Sequence, residues 1–103
     1  MEQRYDCLSG RHKFMQVVNI IIVNQFGLHG RASAKLTKLA NRFKSSVSLV
    51  QGNQRANAKN IIDVMLLAAS QGTKLRLEVE GEDETQACNA LVHLVTNHLG
   101  KEG

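Results

Sequence analysis

Apolar residues first gather between Gln16 and Val23, where Val17, Val18, Ile20, Ile21, Ile22 and Val23 make a nearly continuous β-branched run. Such a run predicts a strand, and apolar residues on both of its rows predict a central place in a sheet. Asn24-Gln25-Phe26-Gly27 breaks the run. Helical spacing follows, with Ala32, Leu36, Leu39, Ala40 and Phe43 on one stripe and Lys35, Lys38 and Arg42 on the opposite face. Val47-Ser48-Leu49-Val50 predicts a short strand, Gly52-Asn53 a two-residue hairpin turn, and the polar stretch from Gln54 to Ala58 a returning strand at a sheet edge.

A second helix is expected from about Asn60 to Ser70, with Asn60 as N-cap and Gly72 as the C-terminal stop. It is apolar nearly all round, so some of Ile61, Ile62 and Met65 should be exposed, either as core under a loop or as a docking patch. Leu75, Leu77 and Val79 alternate with charged residues and predict a half-buried strand. Asp83, with Gln86 three residues on, predicts an N-cap of capping-box type. Ala87, Ala90, Leu91, Leu94, Val95 and His98 then share a helical stripe that Gly100 ends.

The order β-α-β-β-α-β-α predicts an α+β open-faced β-sandwich: a four-stranded, mostly antiparallel sheet with three helices on one face. The 103 residues, 43% of them hydrophobic, suit one domain with one core. Residues 1–14 are polar and without periodicity and are expected as a flexible extension to a domain spanning 15–103. No apolar run approaches the roughly 20 residues of a membrane span, and residues 1–14 lack the apolar centre of a secretory signal. A cytoplasmic monomer without membrane insertion is expected. Cys7 and Cys88 lie far apart without metal-ligand spacing, so Cys88 is expected as a small hydrophobe on a helix face. His93 and His98 do not share a helix face, and no metal or cofactor site is expected.

The formal net charge is +4, and it is unevenly spread. Arg31, Lys35, Lys38, Arg42, Lys44, Arg55 and Lys59 follow one another without an acidic residue, whereas Glu78, Glu80, Glu82, Asp83 and Glu84 reverse the sign. The chemistry concentrates in Gly27-Leu28-His29-Gly30-Arg31-Ala32-Ser33, where the first strand gives way to the first helix. Helix N-terminal amides at Gly30, Arg31 and Ala32 and the positive dipole end favour an anion. Arg31 adds a fork matched to phosphate oxygens. The protonated form of His29 should be disfavoured beside that positive end, leaving a nucleophilic ring nitrogen. Such a junction suits a phosphoryl group carried on a histidine.

These residues resemble the HPr family of histidine-containing phosphocarriers of the bacterial phosphotransferase system. The resemblance runs from Met15 to about Leu99. It centres on Gly27-Leu28-His29-Gly30-Arg31-Ala32, similar to the family's Gly-Leu-His-x-Arg-Pro-Ala, with further matches at Ala56-Asn57-Ala58-Lys59, Gln71-Gly72-Thr73 and Glu80-Gly81-Glu82-Asp83-Glu84. It implies a carrier rather than an enzyme. His29 would take the phosphoryl group on Nδ1 from enzyme I, charged by phosphoenolpyruvate, and pass it to an enzyme IIA component, in sugar uptake or in nitrogen-related regulation. Arg31 would steady the transferring oxygens and the amides of Gly30, Arg31 and Ala32 would hold the anion. Leu28, Ile61, Ile62 and Met65 would form the docking patch.

Three positions depart from the family pattern. Gly30 and Ala32 replace residues that usually stiffen the junction, Ala32 standing where the family has proline, so the junction should be looser. Asn60 stands where kinase-regulated members carry serine. Two other readings remain beside the carrier: a regulatory docking domain without relay, and a KH-like RNA-binding module suggested by Gly27-Leu28-His29-Gly30 and the basic charge. A KH loop joins two helices, and the chain has only four aromatic residues to stack on bases, so no nucleic-acid partner is expected.

Overall fold

The computed structural model describes residues 15–98, so the expected N-terminal extension, Cys7 and the expected stop at Gly100 lie outside the described residues. The elements are β1 (Gln16–Ile21), α1 (Gly30–Ala40), β2 (Ser46–Gln51), β3 (Gln54–Asn57), α2 (Ile61–Leu66), β4 (Lys74–Glu80) and α3 (Glu84–His93), which runs into a π-helical turn, Leu94–His98. The sheet order is β1-β4-β2-β3 and every pairing is antiparallel.

Strand alternation sends one row of each strand inward. Ile20, Val47, Leu49, Ala56, Leu75, Leu77 and Val79 meet Ala32, Leu36 and Ala40 of α1, Val64 of α2, and Ala87, Cys88 and Leu91 of α3 in a single core. The other row faces away from that core and is mostly open to solvent, with Val50 buried on it at 8% exposure. Across that open face Glu78 accepts hydrogen bonds from Arg55 and Arg76, each at 2.8 Å. Burial alone would raise its carboxyl, but the two guanidinium hydrogen bonds outweigh it and hold the group below its ordinary value. Cys88 is buried as expected, and burial followed by the charge of Glu84 pushes its thiol up.

Five expectations are corrected. β1 is an edge strand, not a central one, and its outer row of Val17 and Ile21 is exposed. The second helix ends at Leu66 instead of reaching Ser70. The chain turns at Ala68 (φ +52), because the groups beyond are bonded elsewhere: Ala69 O accepts Leu28 N at 2.8 Å and Gly72 N donates to Ile22 O at 2.8 Å. Gly72 is therefore no helix cap. Its left-handed φ instead serves the turn into β4.

Asp83 is the N-cap of α3 by position, as expected, but its side chain makes no capping hydrogen bond. Its carboxylate accepts from Lys44 N and Ser45 N, each at 2.9 Å, and from Ser45 Oγ, tying the loop before β2 to the start of α3. Those donors, the Ser45 hydroxyl foremost, lower the Asp83 carboxyl to about 2. Leu28, finally, is 3% exposed and belongs to the core.

Candidate functional site

The junction between β1 and α1 is held by its backbone. Gly27 N donates to Asn24 O at 3.1 Å and Asn24 Nδ2 returns a bond to Gly27 O. Gly27 has a φ of +68, and a Cβ there would run into the carbonyl oxygen of Ala69 and the Cα of Ser70. Only glycine lets the two loops approach so closely. Leu28 then donates its N–H to Ala69 and gives its carbonyl to Ser33 Oγ at 2.9 Å, while its side chain enters the core. Ser33 is fully buried in this role.

His29 follows as the N-cap of α1, with an extended backbone (φ −82°, ψ −174°). Its carbonyl accepts the first intrahelical bond, from Ser33 N at 2.7 Å. Its side chain makes no capping hydrogen bond, and the residue is exposed. The main chain on both sides of His29 is thus fixed while the ring stands clear of the helix. Phe26 meets that ring edge-on, with centroids 6.5 Å apart and planes at 89°. A shallow cavity of about 200 Å³ runs from Phe26, Leu28 and His29 to Met65, Ala68, Ala69 and Ser70.

The first-turn amides of Gly30, Arg31 and Ala32 lie ahead of the first intrahelical donor, Ser33 N, the position at which a helix favours an anion. The first turn of α1 holds no acidic residue to neutralise the dipole, and Arg31 is exposed beside it. An added Cβ at Gly30 would meet nothing within 4 Å, so the space there does not demand glycine. Ala32 is buried against the core. Among the described residues, no group of three or more His, Cys, Asp or Glu is placed to hold a metal ion, and no helix is long and apolar enough to cross a membrane.

Of the expected docking residues, Ile62 is 59% exposed, Met65 is exposed and Ile61 is half-buried, whereas Leu28 is withdrawn into the core. Two exposed residues join them that the sequence reading did not single out: Leu66, at 71%, and Phe26, at 57%. The Asn60 cap supplies the missing signal for Leu66. Its Oδ1 accepts from Ile62 N at 2.9 Å and Asp63 N at 3.2 Å, and the helical phase it starts turns Val64 inward and Ile62, Met65 and Leu66 outward. The Gly27–Gly30 loop joins a strand to a helix, not two helices, which removes the KH-like reading.

A four-stranded antiparallel sheet, three helices on one face and an exposed histidine starting the first helix define a small open-faced α+β sandwich with one chemically distinctive junction. The family model for the "PTS HPr component phosphorylation site" matches residues 17–97. The phosphocarrier protein HPr of Neisseria meningitidis serogroup A is 43% identical over 83 residues, which cover 81% of this chain and 93% of that protein. The HPr of Cupriavidus necator is 46% identical over 80 residues, 78% of this chain and 90% of the relative. Among solved structures, HPr-C-His from Thermoanaerobacter tengcongensis superposes with a TM-score of 0.79 at 39% identity, covering 82% of this chain and 96% of that one. The chain belongs to the HPr family of the phosphotransferase system.

Proposed function

We propose that this protein is a histidine phosphocarrier that accepts a phosphoryl group from enzyme I on His29 Nδ1 and hands it to an enzyme IIA component. The observation that carries the reading is the placement of His29: an exposed ring on a backbone bonded to the core loop on one side and to the helix on the other. In the transfer, the Nδ1 lone pair forms the N–P bond as the donor's bond to phosphorus breaks, and the second transfer reverses those roles. A loose phosphoryl-transfer transition state needs positioning and positive charge more than covalent assistance. Arg31 and the amides of Gly30, Arg31 and Ala32 supply that charge where the phosphoryl oxygens would lie.

In this reading Ile61, Ile62 and Met65, extended by Leu66 and Phe26, form the surface on which enzyme I and enzyme IIA dock. The protein acts as a substrate of its partners and not as an enzyme, and a cytoplasmic location follows from that role. The test is phosphorylation by enzyme I and phosphoenolpyruvate of the intact protein beside His29→Ala, read by intact mass and by the acid lability of the label. Label on the intact protein alone supports the carrier. Absence of label on both, with sugar-type and nitrogen-type enzyme I alike, would leave a docking domain without relay.

A further inference from the structure

The main chain on both sides of His29 is bonded, but its imidazole is not. Among the described residues that ring makes no hydrogen bond and no ion pair. A histidine that acts through one ring nitrogen is ordinarily aimed by a hydrogen bond at the other, made to a carboxylate or a carbonyl. At His29 an aromatic contact stands in that place. The Phe26 ring lies 6.5 Å away between centroids, with the two planes at 89°. That is the edge-to-face geometry aromatic pairs prefer.

Phe26 is itself held firmly. It occupies the turn from Asn24 to Gly27, closed by Gly27 N donating to Asn24 O at 3.1 Å. The Asn24 side chain, 3% exposed, returns its Nδ2 donor to Gly27 O and locks the turn a second time. Gly27 in turn lies so close to the main chain of Ala69 and Ser70 that the turn cannot shift toward them. The Phe26 ring nevertheless stands 57% exposed, so burial in the core is not what this rigid support provides. What it does provide is a fixed aromatic wall beside an otherwise unheld imidazole.

We propose that Phe26 is a positioning residue for phosphoryl transfer, its ring confining the His29 imidazole to one orientation in which Nδ1 meets the incoming phosphorus. The proposal rests on the carrier reading and deepens it. In the step, the Nδ1 lone pair forms the N–P bond while the donor's bond to phosphorus breaks and its electron pair leaves with the departing group. Rotation of the imidazole about its bond to Cβ exchanges the places of the two ring nitrogens, and that torsion is soft in an exposed side chain. Such a rotation gives up the edge-to-face contact, so the contact weights the ring toward the paired orientation. A loose transition state draws its rate from alignment, and alignment is what a free ring would lack. This role is separate from any contact Phe26 makes with a docked partner.

The test uses phosphoramidate, a small phosphoryl donor that has no surface to dock, on the full chain. Transfer to Nδ1 releases ammonia, and phosphorus NMR follows the label, with His29→Ala subtracting any that enters His12, His93 or His98. Phe26→Ala should react about three- to tenfold more slowly at His29, the weight of one aromatic pair. Phe26→Tyr keeps the ring and should recover most of the rate. Proton NMR of the unphosphorylated chain should show cross-relaxation between the two rings, and the His29 ring protons should move toward free-histidine shifts in Phe26→Ala. With no enzyme I present, a Phe26 that serves docking alone leaves the rate unchanged, and that result overturns the proposal. So does an equal fall in Phe26→Tyr, the mark of a disturbed loop, or an intact protein that phosphoramidate does not label at His29. The carrier reading fails separately, in an intact protein that enzyme I and phosphoenolpyruvate leave unlabelled.

Discussion

Replacing Gly27 with alanine adds one methyl group at the point where the loop bearing His29 touches the loop after α2. The backbone there has a φ of +68, which costs an L-residue about 1–2 kcal/mol relative to glycine. The new Cβ would also press on the carbonyl oxygen of Ala69 and lie 2.8 Å from Ser70 Cα, both main-chain atoms that no side-chain rotation can move aside. Relief requires displacing residues 69–70, which threatens the 2.8 Å bond from Leu28 N to Ala69 O, a further contribution of about 0.5–1.5 kcal/mol.

The expected loss for Gly27→Ala is roughly 1.5–3.5 kcal/mol in total. With a urea m-value near 1 kcal/mol/M for so small a domain, the unfolding midpoint should fall by roughly 1.5–3.5 M. Gly30→Ala, three residues on, is the control. An added Cβ there meets nothing within 4 Å, and alanine at that first helical position should gain about 0.5–1 kcal/mol. Urea titrations of the two variants read both signs. A loss below about 1 kcal/mol for Gly27→Ala, or a loss rather than a gain for Gly30→Ala, would refute the account of how this junction is held.

Three further outcomes follow from the same geometry. Ala32→Pro should raise stability by about 0.4–1 kcal/mol, since a first-turn amide has no helical acceptor to lose. It should not abolish phosphoryl acceptance, because the amides of Gly30 and Arg31 remain when that of Ala32 is removed; a large loss of acceptance contradicts it. Asp83 is held at about 2 by Ser45 and the amides of Lys44 and Ser45, below its ordinary 3.8. Its contribution is therefore present above about pH 3.8 and lost as pH falls toward 2. Asp83→Asn should flatten the stability profile in that window and leave its shape near neutral pH unchanged, as denaturation at a series of pH values would reveal. Leu66→Glu and Ile62→Ala, at exposed positions, should slow phosphorylation by enzyme I while changing the melting temperature little. Unaltered rates in both would remove α2 from the docking surface.

What the sequence made legible followed from periodicity with a single cause. β4 alternates because one row packs on the core and the other faces water, and the α1 stripe recurs because one face is buried. The misread elements are those in which apolar residues serve something other than burial of a local face. β1 is apolar on both rows yet stands at an edge, so continuous hydrophobicity pointed to a centre it does not occupy. Leu67 and Ala69 are buried beyond the end of α2, in a segment whose backbone is bonded to Leu28 and Ile22, and their apolar character prolonged the apparent helix.

Long-range polar contacts were equally hidden. Asp83 has the spacing of a capping residue, but its acceptors serve Lys44 and Ser45, a link of high sequence separation that no local pattern encodes. At the site, His29 as the residue opening α1 and Asn60 as the cap of α2 were readable, because caps are local. The inward turn of Leu28 was not, since it depends on Gly27 and the loop that Gly27 touches.

Transfer of a labelled phosphoryl group through the protein tests the central claim most directly. The protein would be charged with enzyme I and labelled phosphoenolpyruvate, freed of enzyme I, and then mixed with an enzyme IIA domain while the label is followed on both chains. The account predicts that label first resides on His29 Nδ1, seen as a phosphoramidate signal by phosphorus NMR, and then moves to enzyme IIA, with His29→Ala silent at both stages. Label that enters the His29→Ala variant, or that stays on the intact protein with both sugar-type and nitrogen-type enzyme IIA, would contradict it.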